Sequence, residues 1–217
     1  MGKTLKNHQE FWTNARSLSA AFSATLLLGV SLVVNFYAGI YATMKASNAV
    51  TDIVLDNIRV YDVTNIFVYG PFFLWAFVLL LCLYRPNRIP FVLKSVALFI
   101  LVRSVFITLT HIGPSIDMLN VDYATNAIHD FTFGGDLFFS AHTGLPFLMA
   151  LVFAKNKWLL WLFTATSIFF GVIVLMGHMH YSIDVLASFF ITYTIFTLAK
   201  YFFKNDWQLF DNEMNPE

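Results

Sequence analysis

Long runs of apolar residues alternate with short polar segments along the whole chain. Six runs of roughly 18 to 25 mostly apolar residues are each long enough to cross a hydrocarbon core about 30 Å thick as an α-helix. They are Leu18–Met44, Ile66–Leu83, Phe91–His111, Leu137–Ala154, Trp158–Met176 and Ile183–Phe203. The pattern predicts an all-α integral membrane protein with six transmembrane helices, formed as one domain over residues 1–217 with short tails at 1–17 and 204–217.

The composition supports this prediction and excludes a soluble domain. Hydrophobic residues make up 58% of the chain and charged residues only 12%, whereas soluble domains are about 25% charged. The formal net charge is +0, so overall charge indicates no nucleic-acid partner. The polar segment before the first run is too long and too polar for a signal peptide, and we expect that run to be a permanent span.

Basic residues occupy alternate connections between the predicted spans. They precede the first span, surround the second and fourth turns and follow the last span: Lys3, Lys6, Arg16, Arg85, Arg88, Lys94, Lys155, Lys157, Lys200 and Lys204. The other connections carry only Lys45 and Arg59. Since Lys and Arg favour the cytoplasmic side, both termini are predicted to be cytoplasmic.

Histidines concentrate at the opposite, outer face. Five of the six lie at or near it: His111, His129, His142, His178 and His180. Two connections there are long enough for structure of their own. We expect an amphipathic helix on the surface over 48–65 and an irregular cap over 112–136. This placement predicts a functional site at the outer, periplasmic or lumenal face.

The stretch "GHMHYSIDV" pairs a histidine with an acid. His180 and Asp184 are four residues apart, so on a helix they share one face. The carboxylate can then orient one imidazole nitrogen and leave the other as a nucleophile or base. Because ionisable groups near a membrane surface are costly, we interpret the pair as functional.

The stretch "GGDLFFSAHTG" supplies a second histidine at a similar depth. His142 could protonate a leaving group and later deprotonate an incoming one. The helices that begin at His142 and at His180 would both direct their N-termini, which favour anions, at this region. Arg103, a cation inside the third span, is suited to hold a phosphate.

Several alternatives remain open from the residues alone. Arg103 could be a structural partner of Asp184 or Asp136. His111 and His129 could be loop residues, and His178 either a second phosphate contact or a polar covering residue. A metal site with His178, His180 and either acid is a further alternative, as is a transporter that uses the histidines as a proton relay.

Taken together, the two stretches resemble the phosphatidic acid phosphatase type 2 superfamily, and within it the sphingomyelin synthase branch. The branch motif C-G-D-x-x-x-S-G-H-T is matched at five positions: Gly135, Asp136, Ser140, His142 and Thr143. It differs at Gly134 and Ala141. The second motif, H-Y-T-x-D-V-x-x-A, is matched at four positions: His180, Tyr181, Asp184 and Val185. It has Ser182 in place of Thr, and its small residue comes one position early, at Ala187. The phosphatase branches instead carry an Arg six residues before the second His, where this chain has Val174.

The resemblance implies a catalytic core over about 103–203 and a role for each residue. His180 would attack phosphorus and form a phospho-histidine, Asp184 would orient it, and His142 would act as acid and then as base, with no cofactor or metal. With His178 and His111 added from their own positions, the predicted substrate-binding and phosphate-binding set is Arg103, Asp136, Ser140, Thr143, His178, Tyr181 and His111. The partners would be a phospholipid donor and a ceramide-like or diacylglycerol-like acceptor, with a lipid phosphate phosphatase as the second reading and a homo-oligomer left open.

Overall fold

The computed structural model describes residues 2–119 and 136–214, and every described element is helical. The helices are α1 (Gly2–Thr13), α2 (Ala15–Lys45), α3 (Thr64–Tyr84), α4 (Ile89–Leu109), α5 (Ala141–Val152), α6 (Lys157–Met176), α7 (Ser182–Phe202) and α8 (Lys204–Met214). Two short 3₁₀ turns, Leu55–Asn57 and Pro86–Arg88, lie in the connections. We call the end of the bundle that carries 46–63 and 177–181 the site end, and the opposite end the far end.

Five of the described helices are long and apolar enough to cross a membrane, namely α2, α3, α4, α6 and α7. At a rise of about 1.5 Å per residue, helices of this length match the hydrocarbon thickness. Their outward faces carry large exposed apolar side chains, such as Phe22 and Phe73. The chain is an integral, multi-pass membrane protein.

The fourth predicted span differs from its expectation. Its helix is α5, which has only 12 residues and covers about 18 Å. Residues 136–140 precede it as non-helical chain, and Phe139 has a φ of 35°. The apolar run therefore divides into a turn that builds the site and a short buried helix, and the described residues do not confirm six spans.

The strap, which we define as residues 46–63, also differs from the sequence prediction. The expected amphipathic helix over 48–65 is wrong, because only Leu55–Asn57 forms a helical turn before α3 begins. The Asp52 Oδ1 atom accepts hydrogen bonds from the backbone N–H groups of Val54 (2.8 Å) and Leu55 (3.1 Å). Such local side-chain bonds compete with the helical backbone pattern.

The short helix α5 lies at the centre of the bundle, packed between α6 and α7 and against α4. Gly144 makes this approach close, since a Cβ atom there would lie 2.7 Å from the Phe99 ring and 2.9 Å from Thr192 Oγ1. The fully buried rings of Phe99, Phe139 and Phe163 belong to the same core. This packing fixes the N-terminus of α5 with respect to α4 and α7.

Both tails form helices at the far end of the bundle. In α1, Phe11 is buried and the Nε2 atom of His8 lies 2.6 Å from the Leu83 carbonyl oxygen. In α8, ion pairs join Asp206 to Lys94 (2.7 Å) and Asp211 to Lys155 (2.6 Å). The last segment is therefore part of the bundle rather than a free polar tail.

Phe210 is the buried anchor of α8. Its ring is 1% exposed and contacts the rings of Phe91, Phe153 and Trp207. We expect Phe210→Ala to lower the free energy of unfolding by about 3 kcal/mol, because it removes a fully buried aromatic ring. Denaturant unfolding in detergent checks this. Gln208→Ala, at an exposed position of the same helix, should stay within about 0.5 kcal/mol of the parent chain, and equal effects from both variants would contradict the prediction.

Candidate active site

His180 lies in the turn between α6 and α7, immediately before the N-cap of α7, and is 7% exposed. Its Nδ1 atom is 2.9 Å from the Leu137 carbonyl oxygen and 3.4 Å from Asp184 Oδ2. A backbone carbonyl can only accept a hydrogen bond, so Nδ1 carries the hydrogen and donates it. In the neutral imidazole with this tautomer, Nε2 carries the lone pair, which is the form of a nucleophilic histidine.

Asp184 is completely buried in the first turn of α7. Its Oδ2 atom accepts a hydrogen bond from the Tyr181 backbone N–H at 3.0 Å, which is shorter than its 3.4 Å contact with His180. The contact of His180 and Asp184 that the four-residue spacing predicted is present, although His180 itself precedes the helix. Asp184 therefore both closes the helix start and faces the imidazole.

Arg103 reaches from α4 to the turn that precedes α5. Its guanidinium binds Asp136 through Nη1 to Oδ2 (3.0 Å) and through Nη2 to the backbone oxygen (2.5 Å). Its Nε donates to the Phe139 carbonyl at 3.2 Å. The alternative that pairs Arg103 with Asp136 is therefore the one that these contacts match. Because Leu137 lies in the same turn, Arg103 supports the carbonyl that orients His180.

His142 lies in the first turn of α5, with its ring stacked on Phe67 of α3. The ring centroids are 4.1 Å apart at 22°, and Phe170 approaches edge-on at 6.1 Å. The chain just before His142 is joined to the first turn of α7, because the Ser140 N–H donates a hydrogen bond to the Asp184 carbonyl at 3.2 Å. The two histidines that the motifs singled out thus belong to one site.

The N-termini of α5 and α7 differ in how their N–H groups are used. In α7, the N–H of Tyr181 is bound by Asp184 and that of Ser182 by Asp52. In α5, the N-cap residue Ser140 makes no side-chain cap, and its buried Oγ has no partner among the described residues. The sequence predicted an anion site at the start of both helices. Because the Tyr181 and Ser182 N–H groups at the start of α7 are already bound, the start of α5 is the more available of the two for an anion.

Three further predicted site residues, Tyr181, His178 and Thr143, each have different contacts. Tyr181 is 2% exposed and donates its hydroxyl to the Gly113 carbonyl at 2.8 Å. His178 is 4% exposed and has a φ of 52°, and its Nε2 has no partner within the described part of the chain. The backbone oxygen of Thr143 accepts from the Ser167 hydroxyl at 2.7 Å.

His111 lies at the ends of α2 and α4 rather than beside His180 in the contacts observed. Its ring meets Tyr41 with centroids 5.7 Å apart, and its carbonyl accepts bonds from Ser47. His129 and most of the predicted cap over 112–136 fall outside the described residues. Within 2–119 and 136–214, no three His, Cys, Asp or Glu side chains are placed to share a metal ion.

Two contributors were not singled out from the sequence. Ser188 donates its hydroxyl to the backbone oxygens of Ser140 (3.0 Å) and Asp184 (2.7 Å), and so ties α7 to the start of α5. In the sequence, Ser188 could have been recognised as a small polar residue one turn after Asp184 in an otherwise apolar helix. Asp52 is the second, an acid in the strap that accepts two hydrogen bonds from Ser182.

Asp52 has a pKa below its ordinary value. Burial alone would raise the pKa, but bonds donated by the backbone and hydroxyl of Ser182, and by the backbones of Leu55 and Val54, lower it. A carboxyl whose folded-state pKa is depressed stabilises the fold above its unfolded pKa of 3.8, and this contribution is lost as the pH falls through the folded value.

We therefore expect the difference in free energy of unfolding between the parent chain and Asp52→Asn to shrink as the pH falls below 3.8. Chemical unfolding in detergent at several pH values between about 3 and 7 measures it. A difference that stays constant over this range would show that the Asp52 charge does not contribute.

Comparison with known families adds one finding. Residues 134–201 match a family model described as PAP2 superfamily C-terminal. The matched segment contains α5, α6 and nearly all of α7, with Asp136, His142, His180 and Asp184. No curated protein and no solved structure gives a significant match. The match supports the phosphatidic acid phosphatase type 2 superfamily, and with it lipid phosphatase or phosphotransferase chemistry.

Proposed function

We propose that this protein transfers a phospho-head group from a phospholipid to a ceramide-like or diacylglycerol-like alcohol, as the sphingomyelin synthase branch does. The observation that carries the proposal is the geometry of His180. Its Nδ1–H is fixed by the Leu137 carbonyl at 2.9 Å, so that in the neutral imidazole Nε2 carries the lone pair of a nucleophile.

In the first half-reaction, His180 Nε2 attacks phosphorus and a P–N bond forms as the bond from phosphorus to the lipid alcohol breaks. Protonated His142 gives its proton to the departing alcohol oxygen. Asp184, completely buried next to His180, stabilises the positive charge that develops on the imidazole. The products are a diacylglycerol-like alcohol and a phospho-histidine.

In the second half-reaction, neutral His142 removes the proton from the acceptor hydroxyl. The acceptor oxygen attacks phosphorus, the P–N bond breaks, and His180 returns to its starting form. The N–H groups at the start of α5, with the buried Ser140 hydroxyl, are suited to the oxygens of the phosphate throughout. The two half-reactions balance without another reactant and without a cofactor.

One observation favours a lipid acceptor over water. The position where the phosphatase branches carry an Arg is Val174, which is fully buried in an apolar cluster with Val63 and Phe67. A lipid phosphate phosphatase remains the second candidate, because the same histidines can pass the phosphate to water.

We further propose that the site faces the outer side of the membrane, in the periplasm or an organelle lumen, with both termini cytoplasmic. The far end carries Lys94 and Lys155, both paired with α8, and the loop residue Arg88. This distribution supports a cytoplasmic far end. The proposed partners are the donor phospholipid and the acceptor lipid within the bilayer.

The test uses purified protein in liposomes that contain phosphatidylcholine, phosphatidylethanolamine or phosphatidic acid, with a labelled ceramide or diacylglycerol. A labelled lipid that gains a head group, and that is absent with His180→Ala, supports the transferase. Free phosphate from phosphatidic acid without a new lipid would favour the phosphatase. No product from any donor would favour a transporter or lipid-binding protein.

A further inference from the structure

The strap is fastened to the turn that carries His180. Besides the bonds of Asp52 to Ser182, the Val50 N–H donates to the Tyr181 hydroxyl at 3.2 Å. The Tyr61 N–H donates to the Met176 carbonyl at 2.9 Å. The strap thus contacts residues on both sides of His180, although it comes from the connection between α2 and α3.

Asp52 makes the strongest of these attachments. Its Oδ2 atom accepts hydrogen bonds from the Ser182 backbone N–H (2.7 Å) and hydroxyl (2.8 Å). Its Oδ1 atom is bound by the strap's own N–H groups at Val54 and Leu55. With four donors on one carboxylate and only 8% exposure, Asp52 is held in a single orientation.

The bond to Ser182 completes the start of α7 next to the nucleophile. An α-helix leaves its first N–H groups without partners, and acids near them stabilise the helix. Asp184 binds the N–H of Tyr181, and Asp52 binds the next one. Since His180 directly precedes these two residues, any shift of the first turn moves its imidazole away from the Leu137 carbonyl.

We propose that Asp52 is a positioning residue for His180, which acts by fixing the first turn of α7 from the strap. This inference rests on the proposed role of His180 as the nucleophile. Asp52 then affects catalysis from outside the reacting groups, because small displacements of a reacting group cost rate rather than substrate binding.

The central variant is Asp52→Ala, and Asp62→Ala is its matched control. Asp62 is an exposed acid of the same strap whose Oδ1 accepts the Thr64 N–H at 3.1 Å, so this contact is with the start of α3 and not with α7. We expect Asp52→Ala to lower kcat by about 10-fold to 100-fold with KM changed less than about twofold. Asp52→Asn keeps one acceptor oxygen and should recover part of the loss, whereas Asp62→Ala should leave kcat unchanged.

Two readouts do not need turnover. In Asp52→Ala, amide hydrogen exchange over 181–185 should become faster, and diethyl pyrocarbonate should modify His180 faster. Both should match the parent chain in Asp62→Ala. Unchanged exchange and modification in Asp52→Ala, or equal changes in the control, would overturn the proposal. A parent chain without turnover on any lipid would instead refute the proposed function, and the exchange comparison would still decide whether Asp52 fixes this turn.

Discussion

Replacing His180 with glutamine should reduce head-group transfer by about 10⁴-fold or more, since the proposed nucleophile, which would form the covalent intermediate, is lost. The expected chemical signature is the loss of an acid-labile, alkali-stable phosphorylated histidine. Rapid acid-free quenching of the enzyme with a phosphorus-labelled donor, followed by mass spectrometry of the peptide that contains 180, measures it. Persistent labelling of another residue would contradict the assignment.

His142→Gln is the informative comparison for that experiment. Loss of a general acid and base costs typically about 10² to 10⁴ in rate, so slow formation of the phospho-histidine should remain detectable. The two histidines would then be distinguished by chemistry rather than by the size of the defect. Equal and complete loss of the intermediate in both variants would leave no separate role for His142.

The second large effect is expected at Arg103. Replacing it with leucine leaves the Asp136 carboxylate, only 21% exposed, without its cation, and removing one partner of a buried pair costs about 3 to 5 kcal/mol. It also releases the carbonyl oxygens of Asp136 and Phe139. We therefore expect a loss of about 3 kcal/mol in unfolding free energy together with a lower kcat, because the turn that holds the Leu137 carbonyl is loosened.

A double-mutant cycle separates this pair from general damage. If Arg103 and Asp136 act as a pair, Arg103→Leu combined with Asp136→Asn should cost clearly less than the sum of the two single changes. Arg59→Leu is the control, an exposed arginine beside the Tyr61 ring at 4.8 Å, and its effect should be within about 0.5 kcal/mol. Additive losses at Arg103 and Asp136 would contradict the coupling.

The long spans were predictable because hydrophobic length alone decides them. Helices α3, α4, α6 and α7 lie within the predicted runs to a few residues. The fourth run was not divided correctly, since Leu137, Phe138 and Phe139 read as span residues by hydropathy. In the structure, Arg103 binds the backbone of this segment and holds it as a turn. Because Arg103 is distant in the sequence, the apolar run itself does not show where its helix begins.

In the site, likewise, the reactive side chains could be predicted from the sequence but the backbone contacts could not. The motifs identified His142, His180 and Asp184 because reactive side chains are rare in an apolar chain. The nearest acceptor of His180 is the backbone carbonyl of Leu137. Since every residue has a backbone carbonyl, the sequence does not indicate which one binds His180. The strap was misread for a related reason: acids spaced along an apolar segment suggest an amphipathic helix, while Asp52 is in fact turned inward to Ser182.

The docking of α8 constrains the order in which the bundle can be completed. Phe210 fills the interior beside Phe91 and Phe153, which precede it in the chain by more than fifty residues. During synthesis those rings stay without this partner until the segment around 210 has left the ribosome. The part of the core that Phe210 fills is therefore completed only after every helix from α2 to α7 has been synthesised.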